Sequence, residues 1–184
     1  EETAAAVRAK GVQALLVKGN VADADAMDPM FAAIEESFGT LDILVSNAAS
    51  GVIKPAMELT PKHWNWTMDI NAAALLPLVQ HASKLMGDRG GHVIAVSSLG
   101  AVRAIPNYAA VGASKAALES LVRHIAVELA PRHIRVNAVS AGVVDTDAAT
   151  RPLPEPLNED ADPPSAPRAP AAASVTPEPT TPSL

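Results

Sequence analysis

Continuous apolar runs alternate with longer amphipathic stretches over the first 150 residues of the chain. The runs are too short for helices and do not alternate with polar residues, which is typical of strands buried on both faces of a parallel sheet. The pattern therefore predicts four strands, at 12–17, 41–46, 92–98 and 134–140.

Helices are predicted between these strands. One covers 24–38 and ends at Gly39; another begins after Thr60, a good N-cap followed by proline, and continues to Met86 with a kink at Pro77; a third covers 107–130. Strands that alternate with helices indicate a doubly wound α/β sheet with right-handed crossovers. Ligands of such sheets bind at the carboxyl ends of the strands, so functional residues are expected just after 17, 46, 98 and 140.

The composition narrows the class of function. Hydrophobic residues make up 48% of the chain, and its net charge of -6 argues against a nucleic-acid partner. Cysteine is absent, which excludes disulfides and thiolate metal sites and fits a cytoplasmic protein. We find no metal spacing among the histidines, and no apolar run reaches the ~18 residues that cross a bilayer.

Residues 151–184 differ from the rest because they hold 10 of the 16 prolines. Such a segment buries too little apolar surface to offset its ordering entropy, so we expect a disordered tail. The expected organisation is a partial α/β domain at 1–150, followed by this tail.

Two residues of the third predicted helix are candidates for proton chemistry. Tyr108 and Lys115 lie seven positions apart, so ~10.5 Å of helix and nearly two full turns bring them to one face. A free phenol has a pKa of ~10, and a nearby ammonium favours the phenolate and can hold a ligand by hydrogen bonds. The alternative is that Tyr108 is a core residue and Lys115 a solvated surface lysine.

Four motifs follow the predicted strands: Gly19-Asn20-Val21, SNAASG (46–51), Ser97-Ser98 with the following LGAVRAIPNYAAVGASKAALE, and a last segment with Gly142, Val144 and Thr146. A fifth, DINAAA (69–74), lies within the second predicted helix. In this order they resemble the short-chain dehydrogenases/reductases over residues 1–150. The stretch SSLGAVRAIPNYAAVGASKAALE (97–119) is similar to that of enoyl-acyl-carrier-protein reductases in particular. SNAASGVIKPAMEL and HWNWTMDINA are similar to the NADPH-dependent enoyl reductases of Bacillus-type bacteria.

The resemblance implies a Rossmann-like fold and a role for each matching residue. Catalysis would fall to Tyr108, Lys115, Ser98 and Asn71, with Asn71 holding a water near the lysine and Ser98 lying near the substrate carbonyl. Ser98 at a strand end has a structural alternative, which is to satisfy backbone groups. The cofactor, NADPH with NADH not excluded, would contact Asn20, Val21, Asn47, Ala48, Ala49, Lys115, Gly142, Val144 and Thr146.

The spacing of the pair favours one reaction within that family. Ordinary family reductases carry their tyrosine four residues before the lysine, where this chain has Val111, and Tyr108 is the only tyrosine. We suggest that a phenol moved by one helical turn meets the oxygen of a conjugated enoyl thioester, on which charge develops away from the carbon that receives hydride.

The expected activity is therefore NAD(P)H-dependent reduction of trans-2-enoyl thioesters, on acyl carrier protein or CoA, in fatty acid biosynthesis. The alternatives are a reductase of ketones or alcohols and a catalytically silent fragment. The complete family forms dimers or homo-tetramers.

Some parts of the family pattern have no match in the chain. The first two strands with their glycine-rich turn, and the last strand, have no counterpart, so we expect an incomplete sheet and weak activity of the chain alone.

Overall fold

The computed structural model describes residues 1–141. The predictions for Gly142, Val144, Thr146 and the tail at 151–184 lie outside the described residues.

Helices and strands alternate along this part of the chain. In order they are α1 (Glu2–Arg8), α2 (Met27–Phe38), β1 (Ile43–Ser46), α3 (Pro61–Met68), α4 (Leu75–Met86), β2 (Gly91–Ser98), α5 (Ala109–Leu129) and β3 (Ile134–Ala141). Three predicted strands and all three long predicted helices are therefore confirmed, with ends that differ by a few residues.

The strands form a parallel sheet in the order β1-β2-β3. Val45 lies opposite Ile94, and Ile94 lies opposite Asn137, so the three strands end near one edge. Helices α3 and α4 connect β1 to β2, and α5 connects β2 to β3. This arrangement confirms the α/β class with parallel crossover connections.

One face of the sheet carries the core. Val93 and Val136 are paired neighbours on that face, and they pack with Phe31 of α2, Leu75 of α4 and Leu118 of α5 in one cluster of buried apolar side chains. The opposite face exposes Ile43, Val45 and Val139, each by more than half. Within residues 1–141 the sheet is thus covered by α2, α4 and α5 on one side.

The predicted helix at 60–86 is interrupted at a different place from the one expected. Thr60 is its N-cap, as the sequence indicated, and the structure adds a reciprocal pair of hydrogen bonds with His63. The break is a π-helical segment at Asp69–Ala73, upstream of the expected kink at Pro77. Pro77 lies in the first turn of α4, where its missing N–H costs little, so the α-helix restarts just before it.

The predicted strand at 12–17 is wrong. The segment has no regular secondary structure, and Val12 and Leu16 are each 57% exposed. A strand needs a hydrogen-bonding neighbour, and the described residues supply none at this position. A groove of about 680 Å³ separates Leu15 and Val17 from Ile43 on the free edge of β1.

Candidate active site

The candidate site lies where β2 ends and α5 begins. Ser98 is the last residue of β2, and Tyr108 is the N-cap residue of α5. The Ser98 hydroxyl and the Tyr108 hydroxyl are 3.3 Å apart, at hydrogen-bond distance, and either can donate. The structure therefore brings together two of the predicted catalytic residues, ten positions apart in sequence.

The backbone fixes Tyr108 from both sides. Its N–H donates to the Ile105 carbonyl at 3.2 Å, and its carbonyl accepts from Gly112 N at 2.7 Å, the first hydrogen bond of α5. The preceding residue, Asn107, has a left-handed φ of 61°, which turns the chain into the helix. The Tyr108 side chain is left half-buried.

Lys115 is buried in the same region. It is 6% exposed, and its Nζ donates to the Val96 carbonyl at 2.9 Å, so it contacts the strand that ends in Ser98. Burial disfavours the ammonium and lowers the pKa of Lys115 from 10.5 to about 8. Lys115 therefore stays mainly protonated at neutral pH inside a low-dielectric site, which excludes the solvated-surface alternative.

Asn71 is buried in the π-helical segment and holds the loop after β1. Its Oδ1 accepts from Ser50 N at 2.8 Å, and its Nδ2 donates to the Ser50 carbonyl at 2.7 Å and to Ser114 Oγ at 2.9 Å. Ser114 Oγ in turn donates to the Val111 carbonyl at 2.7 Å. The side chain of Asn71 thus joins the β1 loop to α5, a contact that the sequence did not indicate.

Val111 packs tightly against the same loop. A Cβ built at Gly51 would collide with the Val111 side chain and would lie 3.6 Å from Thr67 Cγ2. Val111 is itself buried. The position four residues before Lys115 is therefore filled by an apolar side chain with no free space toward the loop.

Five of the residues predicted to bind cofactor lie in two loops, one directly after β1 and the other in the segment that precedes α2. Asn47, Ala48 and Ala49 directly follow β1, at the edge of the sheet that also carries Ser98. Asn20 is exposed, and its Oδ1 accepts from Ala22 N at 3.1 Å within its own turn. The Val21 side chain packs against the core cluster, so it stabilises the fold.

One further polar pair lies near Lys115. Ser97 Oγ donates to Glu119 Oε1 at 2.6 Å, which ties the end of β2 to the α5 turn that follows Lys115. Sequence reasoning identified Ser97 only as a strand-end serine and missed Glu119. Glu119 lies four residues after Lys115 on α5, and this offset was the signal that could have identified it.

Within residues 1–141, no three histidine or carboxylate side chains gather where a metal ion could bind. Among the helices of the same residues, none is long and apolar enough to cross a membrane.

Known proteins resemble this chain in sequence and in structure. The 1-cyclohexenylcarbonyl-CoA reductase of Streptomyces collinus is 40% identical over 148 residues, which are 80% of this chain and 52% of that protein. The 3-oxoacyl-[acyl-carrier-protein] reductase of Staphylococcus aureus is 34% identical over 154 residues, 83% of this chain and 62% of that protein. The crystal structure of the enoyl-[acyl-carrier-protein] reductase (NADH) of Aquifex aeolicus aligns with a TM-score of 0.74 at 32% identity, over 80% of this chain and 59% of the other.

The chain spans only about half to two thirds of the length of these relatives. The match to a family model is nevertheless nearly complete: the model described as enoyl-(acyl carrier protein) reductase matches residues 1–181. The motifs of the sequence indicated the same family. The family-model match, the parallel α/β sheet and the structural likeness all agree with it. The chain therefore belongs to the short-chain dehydrogenase/reductase family, in the group whose model carries the enoyl-(acyl carrier protein) reductase description.

Proposed function

We propose that the protein carrying this chain reduces the carbon–carbon double bond of trans-2-enoyl thioesters with hydride from a nicotinamide cofactor. One observation carries the proposal. The only tyrosine, Tyr108, has its hydroxyl at the end of β2 beside Ser98, while the buried Val111 occupies the position four residues before Lys115.

The packing around Val111 supports this choice of reaction. A ketone reductase of the family needs a proton donor where Val111 stands, and a valine side chain has no proton to give. Because Gly51 lies directly against Val111, a larger side chain there would displace the loop after β1. Proton donation is thereby left to Tyr108, one helical turn earlier.

Tyr108 would act on the oxygen of the thioester. When bound, the nicotinamide cofactor would supply hydride for the β-carbon, and the electron pair of the double bond would shift toward the thioester carbonyl. The Tyr108 hydroxyl would donate a hydrogen bond to that oxygen, and the bond would strengthen as negative charge develops there. A proton from solvent would then bind the α-carbon and give the saturated thioester.

Lys115 would serve the cofactor and the tyrosine together. Its pKa of about 8 leaves an ammonium at neutral pH, and burial strengthens the field of that ammonium on neighbouring groups. In this position it would hold the cofactor ribose and favour charge on the Tyr108 oxygen. Ser98, at 3.3 Å, would keep the phenol oriented.

The cofactor would lie along the carboxyl edge of the sheet. The backbone at Asn20 and Val21 would contact the adenine, and Asn47, Ala48 and Ala49 would line the ribose. Beyond the described residues, Gly142, Val144 and Thr146 would hold the nicotinamide. We propose NADPH as the reductant on the strength of the motif resemblance, with NADH as the alternative.

The wider setting follows from the substrate class. Acyl carrier protein or CoA would carry the enoyl group, the product would serve fatty acid biosynthesis in the cytoplasm, and the protein would act as a dimer or tetramer. These assignments rest on the enoyl thioester proposal.

The second candidate is reduction of 3-oxoacyl thioesters. It is favoured by the likeness to the Staphylococcus aureus 3-oxoacyl reductase and by the Ser98–Tyr108 pair, because a hydroxyl pair also suits a ketone. Initial rates of the natural-length protein with crotonyl-CoA and with acetoacetyl-CoA, each with NADPH and with NADH, separate the two. We expect the higher kcat/KM on crotonyl-CoA. A higher value on acetoacetyl-CoA would replace the first proposal by the second.

A further inference from the structure

Two glycines form a narrow slot around the ring of Tyr108. Gly100 lies in the 3-10 turn at Leu99–Ala101 that follows β2, and Gly112 lies in the first turn of α5. A Cβ at Gly100 would lie 2.5 Å from Tyr108 Cε1 and 2.6 Å from Cδ1, well inside van der Waals contact. A Cβ at Gly112 would lie 2.8 Å from the Gly100 carbonyl oxygen and 3.8 Å from Tyr108 Cδ1.

Backbone conformation does not explain these glycines. Gly11, Gly39, Gly87 and Gly90 have positive φ values, which side chains rarely adopt, whereas neither slot glycine does. What Gly100 and Gly112 share is close approach, and the group that approaches Gly100 is the Tyr108 ring. Space for that ring is thus the physical reason for glycine at 100.

Gly100 also contacts the second hydroxyl of the site. Its N–H donates to Ser98 Oγ at 3.3 Å, and the same Oγ lies 3.3 Å from the Tyr108 hydroxyl. The backbone of Gly100 therefore orients the serine, while its missing side chain leaves room for the tyrosine. Gly100 therefore affects the positions of both hydroxyls of the pair.

We propose that Gly100 is a positioning residue for Tyr108. Its missing side chain lets the Cδ1–Cε1 edge of the ring lie against the 3-10 turn, with the phenol oxygen at hydrogen-bond distance from Ser98. A methyl group at 100 pushes the ring outward and separates the two hydroxyls, although neither is altered chemically. The geometric part of the inference stands without the proposed reaction, and its kinetic consequence rests on the proposed function.

The single tyrosine gives a direct test in the 184-residue chain. Tyrosine labelled with 13C at Cζ yields one NMR signal. Ser98→Ala removes the serine hydroxyl, so the change that it causes in the chemical shift of this signal reports the contact between the two hydroxyls. We expect Gly100→Ala to move the signal, and we expect Ser98→Ala to cause no further change once alanine is at 100. An unmoved signal in Gly100→Ala, or a full Ser98→Ala effect in its presence, would overturn the proposal.

A matched control separates positioning from general destabilisation. Gly39 ends α2 with a φ of 70° and has nothing within 4 Å of a built Cβ. Gly39→Ala strains the backbone far from the site, so it should lower Tm and leave the tyrosine signal in place. If Gly39→Ala moved the signal as Gly100→Ala does, the shift would report global loosening and the proposal would fail.

Folding of the variant has its own check. Should Gly100→Ala fail to fold, the double variant with Tyr108→Ala should fold, because the colliding ring is gone. Loss of folding in the double variant as well would contradict the ring-slot explanation.

Kinetics of the natural-length protein complete the test. On crotonyl-CoA, Gly100→Ala should lower kcat by ~10-fold to 10²-fold, as small misplacements of reacting groups do, and should leave cofactor affinity within two-fold. In a Tyr108→Phe background it should lower kcat no further; a second, equal loss there would mean that Gly100 acts independently of the phenol. If the protein does not reduce crotonyl-CoA at all, the proposed function fails while the NMR result still decides the slot.

Discussion

Burial of the Lys115 ammonium should make the stability of the protein depend on pH in a defined way. In the unfolded chain this lysine titrates near 10.5, and in the folded chain its pKa is about 8. Below pH 8 both states carry the proton, and the folded state bears the full desolvation penalty, which the pKa difference puts at about 3 kcal/mol. Above pH 10.5 both states are neutral and the penalty is gone. Wild-type stability should therefore rise through this window relative to a variant without the amine.

The comparison uses Lys115→Met, which keeps the length of the side chain and removes its charge. Between pH 7 and pH 9.5, the free energy of unfolding of the wild type should increase by about 2 kcal/mol more than that of the variant. Urea titrations followed by the fluorescence of Trp64 and Trp66 give both values. Lys84, exposed on α4, supplies a matched control as Lys84→Met, which should keep the wild-type pH dependence.

Two results would refute the reasoning. If wild type and Lys115→Met show the same pH dependence, the ammonium is hydrated in the folded state. If the wild type loses stability relative to the variant as pH rises, the lysine is held by an opposite charge, and burial is not what governs its titration.

Other predictions address the neighbours of this lysine. Lys115→Ala should weaken both cofactor binding and turnover in the natural-length protein, and turnover that falls with unchanged cofactor affinity would remove its ribose-holding role. Asn71→Ala should cost ~2–3 kcal/mol in urea unfolding, because it leaves the half-buried Ser50 N–H and carbonyl without their partners. Asn65→Ala on the exposed side of α3 should cost less than ~0.5 kcal/mol, and equal costs would show that the hydrogen bonds from Asn71 to Ser50 do not stabilise the fold. Val111→Tyr should lower stability by ~1–3 kcal/mol through overpacking against Gly51 and should not raise activity on acetoacetyl-CoA; a stable, ketone-reducing variant would show that the loop has room.

Local signals made much of the fold predictable. Thr60 followed by Pro61 marked the start of α3, and Gly39 marked the end of α2. The apolar runs that became β2 and β3 pair with each other and pack under helices of the same chain. The run at 12–17 is also apolar, but it has no strand beside it in the described residues. An apolar run indicates a tendency to pair and does not show whether a partner strand is present.

The places of the candidate residues in the fold were predictable from the sequence, and their contacts were not. The positions of Ser98 and Tyr108 relative to β2 and α5 could be inferred, since strand ends and helix starts collect functional groups. The bond from Asn71 to Ser114 spans 43 positions, and the slot at Gly100 forms where the turn after β2 packs against α5. Such contacts depend on how helices pack, and a single sequence carries no direct signal for them.

The central claim is that the Tyr108 hydroxyl assists reduction of an enoyl thioester. The most direct test is the kcat of Tyr108→Phe with crotonyl-CoA and NADPH in the natural-length protein, alongside the cofactor dissociation constant. A positioned proton donor contributes ~10²-fold or more, so kcat should fall by at least that factor while cofactor affinity stays within two-fold. Turnover of Tyr108→Phe within a few-fold of wild type would contradict the account.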